Sequence, residues 1–342
     1  MSRPMDKIRV RQLTWVGGLA LLTLALSVAL PLWRNQNVWQ ADVSGPVMTN
    51  WADTVSITTQ IEIWSAEDHF TLVRDDAGWV MPSRDNYQVR PERIAELDAM
   101  LGALEYEGTR TADSEKHARL GLADHGRDGA GTRLSLTNAS GEVVADIILG
   151  ELRNGYLYVR FPGDDVTYAT HPGNISALPS IQTADAWLEL DFIALGRTDI
   201  ARTQITPESG PAYVLERPGQ GARNFSLRQP SGWRPITAGA GNGPGAALSR
   251  LRFRDVRRAE RLSGDIIANH TAETFSGLQV SLDIIEQGET RWAVIDVRAL
   301  TDGSEEIAAS LSGKVAGWAY LISDSSVDRL LRPLDQIADP RE

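Results

Sequence analysis

"LEYEGTRTAD", residues 104–113, and "LRFRDVRRAE", residues 251–260, are the two stretches on which the fold turns. In the second, Leu251, Phe253 and Val256 alternate with polar residues, the period of a strand with one buried face. Leu104 and Tyr106 repeat that pattern in the first. Arg252 and Arg254 then point away from the apolar side, and their counterparts are Glu105 and Glu107. The apolar side persists while the charged side changes sign. Five arginines lie between Arg250 and Glu260, yet a phosphate site required by the fold would keep its sign in both copies. The arginines therefore read as the polar side of a repeated strand. The opposed charges also predict that the copies meet here, Glu105 and Glu107 against Arg252 and Arg254. Exposed pairs would add only about 0–1 kcal/mol each, setting register more than stability.

Other matches run in the same order along both halves. Thr59-Gln60-Ile61 recurs as Thr203-Gln204-Ile205, and "FTLVRDDAGWV" as "FSLRQPSGWRP". "RLSLTNASGEVVADIIL" from Arg133 answers "QVSLDIIEQGETRWAVI" from Gln279, and "GYLYVRF" from Gly155 answers "GWAYLIS" from Gly317. A repeat this long indicates two tandem domains and not a solenoid of small units. Within the first copy, Ile94, Leu97, Leu101 and Leu104 predict a helix opening at Pro91, where a missing N–H costs nothing. Its counterpart in the second copy follows "AGAGNGPGAALSRL" and looks shorter. Strands with one or two helices per copy give an α+β class of mainly antiparallel sheet.

Ahead of the repeats, Leu13–Trp33 is an uncharged apolar run of about twenty residues, the thickness of a bilayer. Four basic residues precede it, which places the N-terminus in the cytoplasm. Small residues at Ser27-Val28-Ala29 would suit a signal-peptide cut, but Leu30-Pro31 follows, and the length favours a retained anchor. The expected organisation is a cytoplasmic N-terminus (1–12), a transmembrane anchor (13–33) and a juxtamembrane linker (34–55). A first repeat domain (56–182), a packed connector (183–198) and a second repeat domain (199–340) follow. This puts everything from about residue 35 onward on the far side of a membrane.

Composition narrows the partners. The 342 residues are 42% hydrophobic and 23% charged, ordinary values for a folded chain. Net charge is −11; beyond residue 34 it is −15, with 29 basic against 44 acidic groups. Such a body repels phosphate backbones at long range, so nucleic acid is not an expected partner. The absence of cysteine excludes disulfides, thiolate metal sites and cysteine nucleophiles.

Gly78-Trp79, Val89–Ile94, Gly121-Leu122 and Leu149-Gly150 leading to Tyr158-Val159-Arg160 resemble a bacterial family of single-span envelope proteins, catalogued as a domain of unknown function (DUF4340). "WLELDFIAL" is similar to that family's connector, and the likeness covers most of residues 60–200. Association with gliding-motility-type ABC transporters is what the resemblance implies, with no catalytic residues to carry over.

The remaining candidates read as structure. "ADSEKHARLGLADHGRD", residues 112–128, holds His117, His125 and several acids, but eight residues separate the histidines and Gly121 interrupts a helix. "GAGNGPGAALSR", residues 239–250, lacks the Lys-Ser/Thr ending of a P-loop and reads as a flexible pre-helix loop. Asp164-Asp165 follows Pro162-Gly163 and reads as a hairpin turn; Asp185, Glu189 and Asp191 form a second acidic group. Trp79 and Trp233 read as cross-strand packing, and His69, His171 and His270 as isolated residues beside turns. No catalytic, cofactor-binding or metal-binding residue is assigned. The expected function is a non-enzymatic accessory protein of an ABC transporter or related envelope complex. A ligand-binding module for a cell-wall or lipid fragment is the alternative, and a hydrolase using paired carboxylates comes third.

Overall fold

The computed structural model describes residues 43–173, 180–193 and 195–341. The run 13–33, the segment 1–12 and the linker up to residue 42 lie outside the described residues. Among the described residues, no helix is long and apolar enough to cross a membrane.

Helix α1 (Trp51–Ile57) is followed by β1 (Thr58–Trp64), β2 (His69–Asp75), β3 (Gly78–Met81) and β4 (Tyr87–Gln88). Helix α2 (Pro91–Gly102) leads into β5 (Glu105–Thr111), then β6 (Thr132–Asn138), β7 (Val143–Arg153), β8 (Tyr156–Arg160) and β9 (Thr167–His171). After the connector come β10 (Ile200–Thr206), β11 (Tyr213–Glu216), β12 (Ser226–Gln229), β13 (Trp233–Pro235), the short helix α3 (Asn242–Gly245) and β14 (Phe253–Arg258). Next are β15 (Ile266–Thr274), β16 (Leu278–Gln287) and β17 (Thr290–Ala299). Helix α4 (Glu305–Val315), β18 (Trp318–Ile322), helix α5 (Asp324–Leu330) and β19 (Ala338–Pro340) complete the chain. The fold is mostly antiparallel sheet with a few helices, an α+β arrangement.

Two compact units divide the chain. One takes the described residues up to Phe70 together with Glu92–Thr183; the other takes Thr71–Pro91 and the residues from Ala184 onward. The expected blocks 56–182 and 199–340 are consecutive, whereas these units are not. Residues 71–91, carrying β3 and β4, belong with the second unit because their polar groups are satisfied there. Arg90 N–H donates to Trp187 O at 2.8 Å, Val89 bridges to Leu188, and Tyr87 OH donates to Glu189 O at 3.0 Å.

In the first unit, strands run in the order β1-β6-β7-β8-β9-β5, each pair antiparallel. Ile61 and Ile63 of β1 and Leu134 and Leu136 of β6 are buried, giving the sheet its apolar side. Helix α2 buries Leu97, Met100 and Leu101, while Ile94 is half-buried and Leu104 lies just past its end. The turn between β8 and β9 closes with Asp164 N–H donating to Phe161 O at 3.1 Å. Gly163 has φ +81° there, and Pro162 before it supplies the fixed φ of a tight turn.

The second unit holds an eight-stranded sheet ordered β12-β11-β10-β15-β16-β17-β18-β14. Along β15 and β16 buried and half-buried residues alternate, so one side of the sheet is packed. Helix α4 packs on β16 and β17, and helix α3 on β10. The short pair β13–β19 stands apart from that sheet.

Six strands of each unit follow the same order: β1-β6-β7-β8-β9-β5 in one, β10-β15-β16-β17-β18-β14 in the other. This order places residues 104–113 and 251–260 at equivalent terminal strands, and Thr59–Ile61 and Thr203–Ile205 on equivalent strands at the other end of the order. It moves the hairpin match. β6 corresponds to β15, not to β16 as the pairing of Arg133 with Gln279 required, and β8 corresponds to β17, not β18. A shift by one whole strand preserves the two-residue alternation, which is why the sequence comparison tolerated it.

Candidate interaction surface

β14 is a terminal strand of its sheet and carries most of the chain's arginine cluster. Leu251, Phe253 and Val256 are buried; Arg250, Arg252 and Arg254 are exposed. Phe253 sits in an aromatic group with Phe192 (5.7 Å between ring centroids) and Tyr320 (4.8 Å). Tyr87 joins it, edge-on to Trp318 at 4.8 Å and with its hydroxyl 3.5 Å from that of Tyr320. Burial raises the pKa of both hydroxyls, so both stay protonated.

The arginines divide into two sets. Arg257 lies 3.8 Å over the Trp292 ring and Arg258 3.8 Å over the Trp318 ring, contacts in which the π-face attracts the cation. Arg261 pairs with Asp85 at 2.5 Å, and Arg84 pairs with Asp255. The same Asp85 accepts the backbone N–H of Arg258 at 2.9 Å. An open strand edge offers unpaired backbone groups to any passing chain, and a carboxylate placed on one blunts it. Arg250, Arg252 and Arg254 have no ionic partner among the described residues.

β5, the equivalent strand of the first unit, is guarded differently. Tyr106 N–H donates to Gly45 O at 2.9 Å, Val47 N–H donates to Leu104 O at 2.8 Å, and Pro46 bridges to Glu105. The described end of the expected linker is therefore built into the first unit. Glu105 and Glu107 are exposed and Tyr106 is half-buried between them. Glu105 and Glu107 thus share with Arg252 and Arg254 an exposed position at a terminal strand, each in its own unit.

The family pattern described as Domain of unknown function (DUF4340) matches residues 79–263, more than half of the 342-residue chain. The chain belongs to this family. The DUF4340 match begins at Trp79 and ends just beyond β14, so it takes in the connector and the arginine strand, past the 60–200 span of the earlier resemblance. No curated protein and no solved structure matches the chain.

The other sequence candidates fall into structural places. In residues 112–128, His117 is buried and its Nε2 lies 2.9 Å from Asp165 O, while His125 is exposed. Asp124 pairs with the buried Arg160, whose hydrogen bond lowers the Asp124 pKa. Arg160 also donates to Leu122 O at 3.0 Å and to Asp164 O at 3.1 Å, so it ties this loop to the β8–β9 turn. Among the described residues no three His, Asp or Glu side chains converge as a metal site would need. Glu189 is paired with Lys314 at 2.6 Å. In the connector, Trp187, Leu188, Leu190 and Ile193 are buried. Trp79 stands opposite Arg74 across the β2–β3 ladder and Trp233 opposite Pro340 across β13–β19, both half-buried.

Residues 239–250 correct the expectation of a flexible loop: they form helix α3 and a 3-10 turn (Ala247–Arg250). A side chain on Gly245 would meet the Phe225 ring at 2.8 Å, and one on Gly241 would meet Leu215 at 3.0 Å. The glycines are there for close packing. Thr203 Oγ1 donates to Gly245 O at 2.8 Å, and Asn242 Oδ1 accepts Phe225 N–H at 3.0 Å.

His270 is also corrected. It lies mid-strand in β15, fully buried, with Nδ1 2.9 Å from Leu330 O. Among the described residues Nε2 has no partner, and burial pushes the ring's pKa down to about 4. Its signal was present in the sequence: Ala268, His270 and Ala272 share the buried face at a spacing of two. Asp85, whose carboxylate anchors β14, had no such signal, because its partners lie more than 170 residues away.

Proposed function

We propose that this chain is a non-enzymatic accessory subunit of a bacterial inner-membrane complex, an ABC transporter or a related envelope assembly. The apolar run 13–33 anchors it with the N-terminus in the cytoplasm, and both units stand in the periplasm as products of one duplication. The length of that uncharged run and the basic residues ahead of it support the envelope setting, and the shared six-strand order supports duplication. One observation carries the interaction reading. On β14 and at its two ends, Arg257, Arg258 and Arg261 are engaged within their own unit, whereas Arg250, Arg252 and Arg254 are exposed and have no ionic partner among the described residues, in an otherwise acidic body. Such cations steer association with an acidic partner and select its register.

A photo-activatable residue at position 254, cross-linked in cells and followed by mass spectrometry, tests this. Adducts with an integral membrane component of a transporter are expected. Adducts confined to soluble periplasmic proteins would sink the reading.

A further inference from the structure

We infer that the groove beside helix α5 binds a short zwitterionic ligand, a peptide of two or three residues with free termini. The groove has a volume of about 450 Å³, inside the ~300–1,000 Å³ typical of small-molecule sites. Val327, Leu331 and Pro333 supply its apolar lining, and Glu208, Asp328 and Arg332 set charge around it. Asp328 and Arg332 stand four residues apart across the end of α5, a spacing at which acid and base commonly pair. Here they form no ion pair with each other, and neither has another ionic partner among the described residues. Glu208, by contrast, is held by Arg291 at 3.1 Å.

The backbone that presents these groups is pinned from beneath. Tyr213 OH donates to Arg332 O at 2.6 Å, and His270 Nδ1 donates to Leu330 O at 2.9 Å. Both rings are buried, and burial keeps both groups neutral, the tyrosine by raising its pKa and the histidine by lowering it. A fixed backbone removes part of the ordering cost of binding. The ligand's chemistry follows from the lining. A carboxylate suits the planar fork of Arg332, an ammonium suits Asp328, and short aliphatic groups suit Leu331 and Pro333. Asp328 and Glu208 disfavour a dianion, and Arg332 disfavours a dication.

Calorimetric titration of the full chain in detergent tests this with three probes: trialanine with free termini, its N-acetyl form and its C-terminal amide. The free peptide is expected to bind saturably, and each blocked form about tenfold more weakly. Arg332→Gln should abolish the preference for a free carboxylate while keeping that for a free amine; Asp328→Asn should do the reverse. The comparison among peptides needs no variant, so a folding defect in either leaves the test intact. No saturable binding of any probe up to about 10 mM, or equal binding of free and blocked peptides, overturns the assignment. Cross-linking from position 254 is expected to be unchanged in both variants, so the two readings fail separately.

Discussion

The carboxylate of Asp85 accepts the backbone N–H of Arg258 at 2.9 Å, and its other oxygen meets Arg261 at 2.5 Å. Asp85 has φ +58°, a left-handed conformation that Asp and Asn tolerate better than most residues. The turn between β3 and β4 thus delivers an acid to the end of the most basic strand. Asp85→Ala removes a charge-assisted hydrogen bond, leaves a strand N–H without its acceptor and strains the backbone. A loss of about 1–3 kcal/mol is expected in denaturant unfolding. Asp85→Asn keeps the backbone preference and one acceptor, so its loss should be the smaller of the two. Equal losses would show that the charge alone matters.

The two sets of arginines on and beside β14 should separate in the same measurement. Arg257 and Arg258 each lie 3.8 Å from a tryptophan ring, and truncation to Ala removes both cation and packing. About 0.5–2 kcal/mol each is expected. Arg252→Gln and Arg254→Gln touch no partner among the described residues and should stay within about 0.5 kcal/mol. A large loss at Arg252 or Arg254 would mean that these side chains serve folding instead of a partner.

Much of this was legible from residue patterns, and the failures have identifiable causes. The alternation in 251–260 foretold the buried Leu251, Phe253 and Val256, and the apolar spacing after Pro91 foretold α2. Local periodicity carries no information on which hairpin a strand joins, so β6 was matched with β16 when the order pairs it with β15. The placement of residues 71–91 with the second unit rests on contacts such as Arg84 with Asp255, far apart in sequence. The glycine-rich stretch misled because glycine marks both turns and close packing; Phe225, which decides between them, lies in another element.

That packing gives a third prediction. Gly245→Ala would push a methyl group to 2.8 Å from the Phe225 ring, inside any normal contact distance. Overpacking of this kind typically costs about 1–3 kcal/mol. Adding Phe225→Leu should recover part of the loss, although Phe225 also lies under Arg217 at 4.3 Å. A thermal melt of the double variant no better than the single one would place the strain elsewhere.

The last prediction concerns His270 and acid. The folded ring titrates near 4 because charging it would bury an unsolvated imidazolium, whereas an unfolded histidine titrates near 6.5. Between those values the unfolded chain binds the extra proton, so stability rises with pH across that window. The stabilisation is fully present above about pH 6.5 and is lost as pH falls toward 4. Its ceiling is on the order of 3 kcal/mol, set by titration near 4 in the folded chain against about 6.5 in the unfolded one. His270→Gln keeps a donor for Leu330 O but cannot titrate. Its unfolding free energy should therefore fall less steeply between pH 6.5 and 4 than that of the parent chain. Parallel pH profiles for the two proteins would show that another buried group controls acid unfolding.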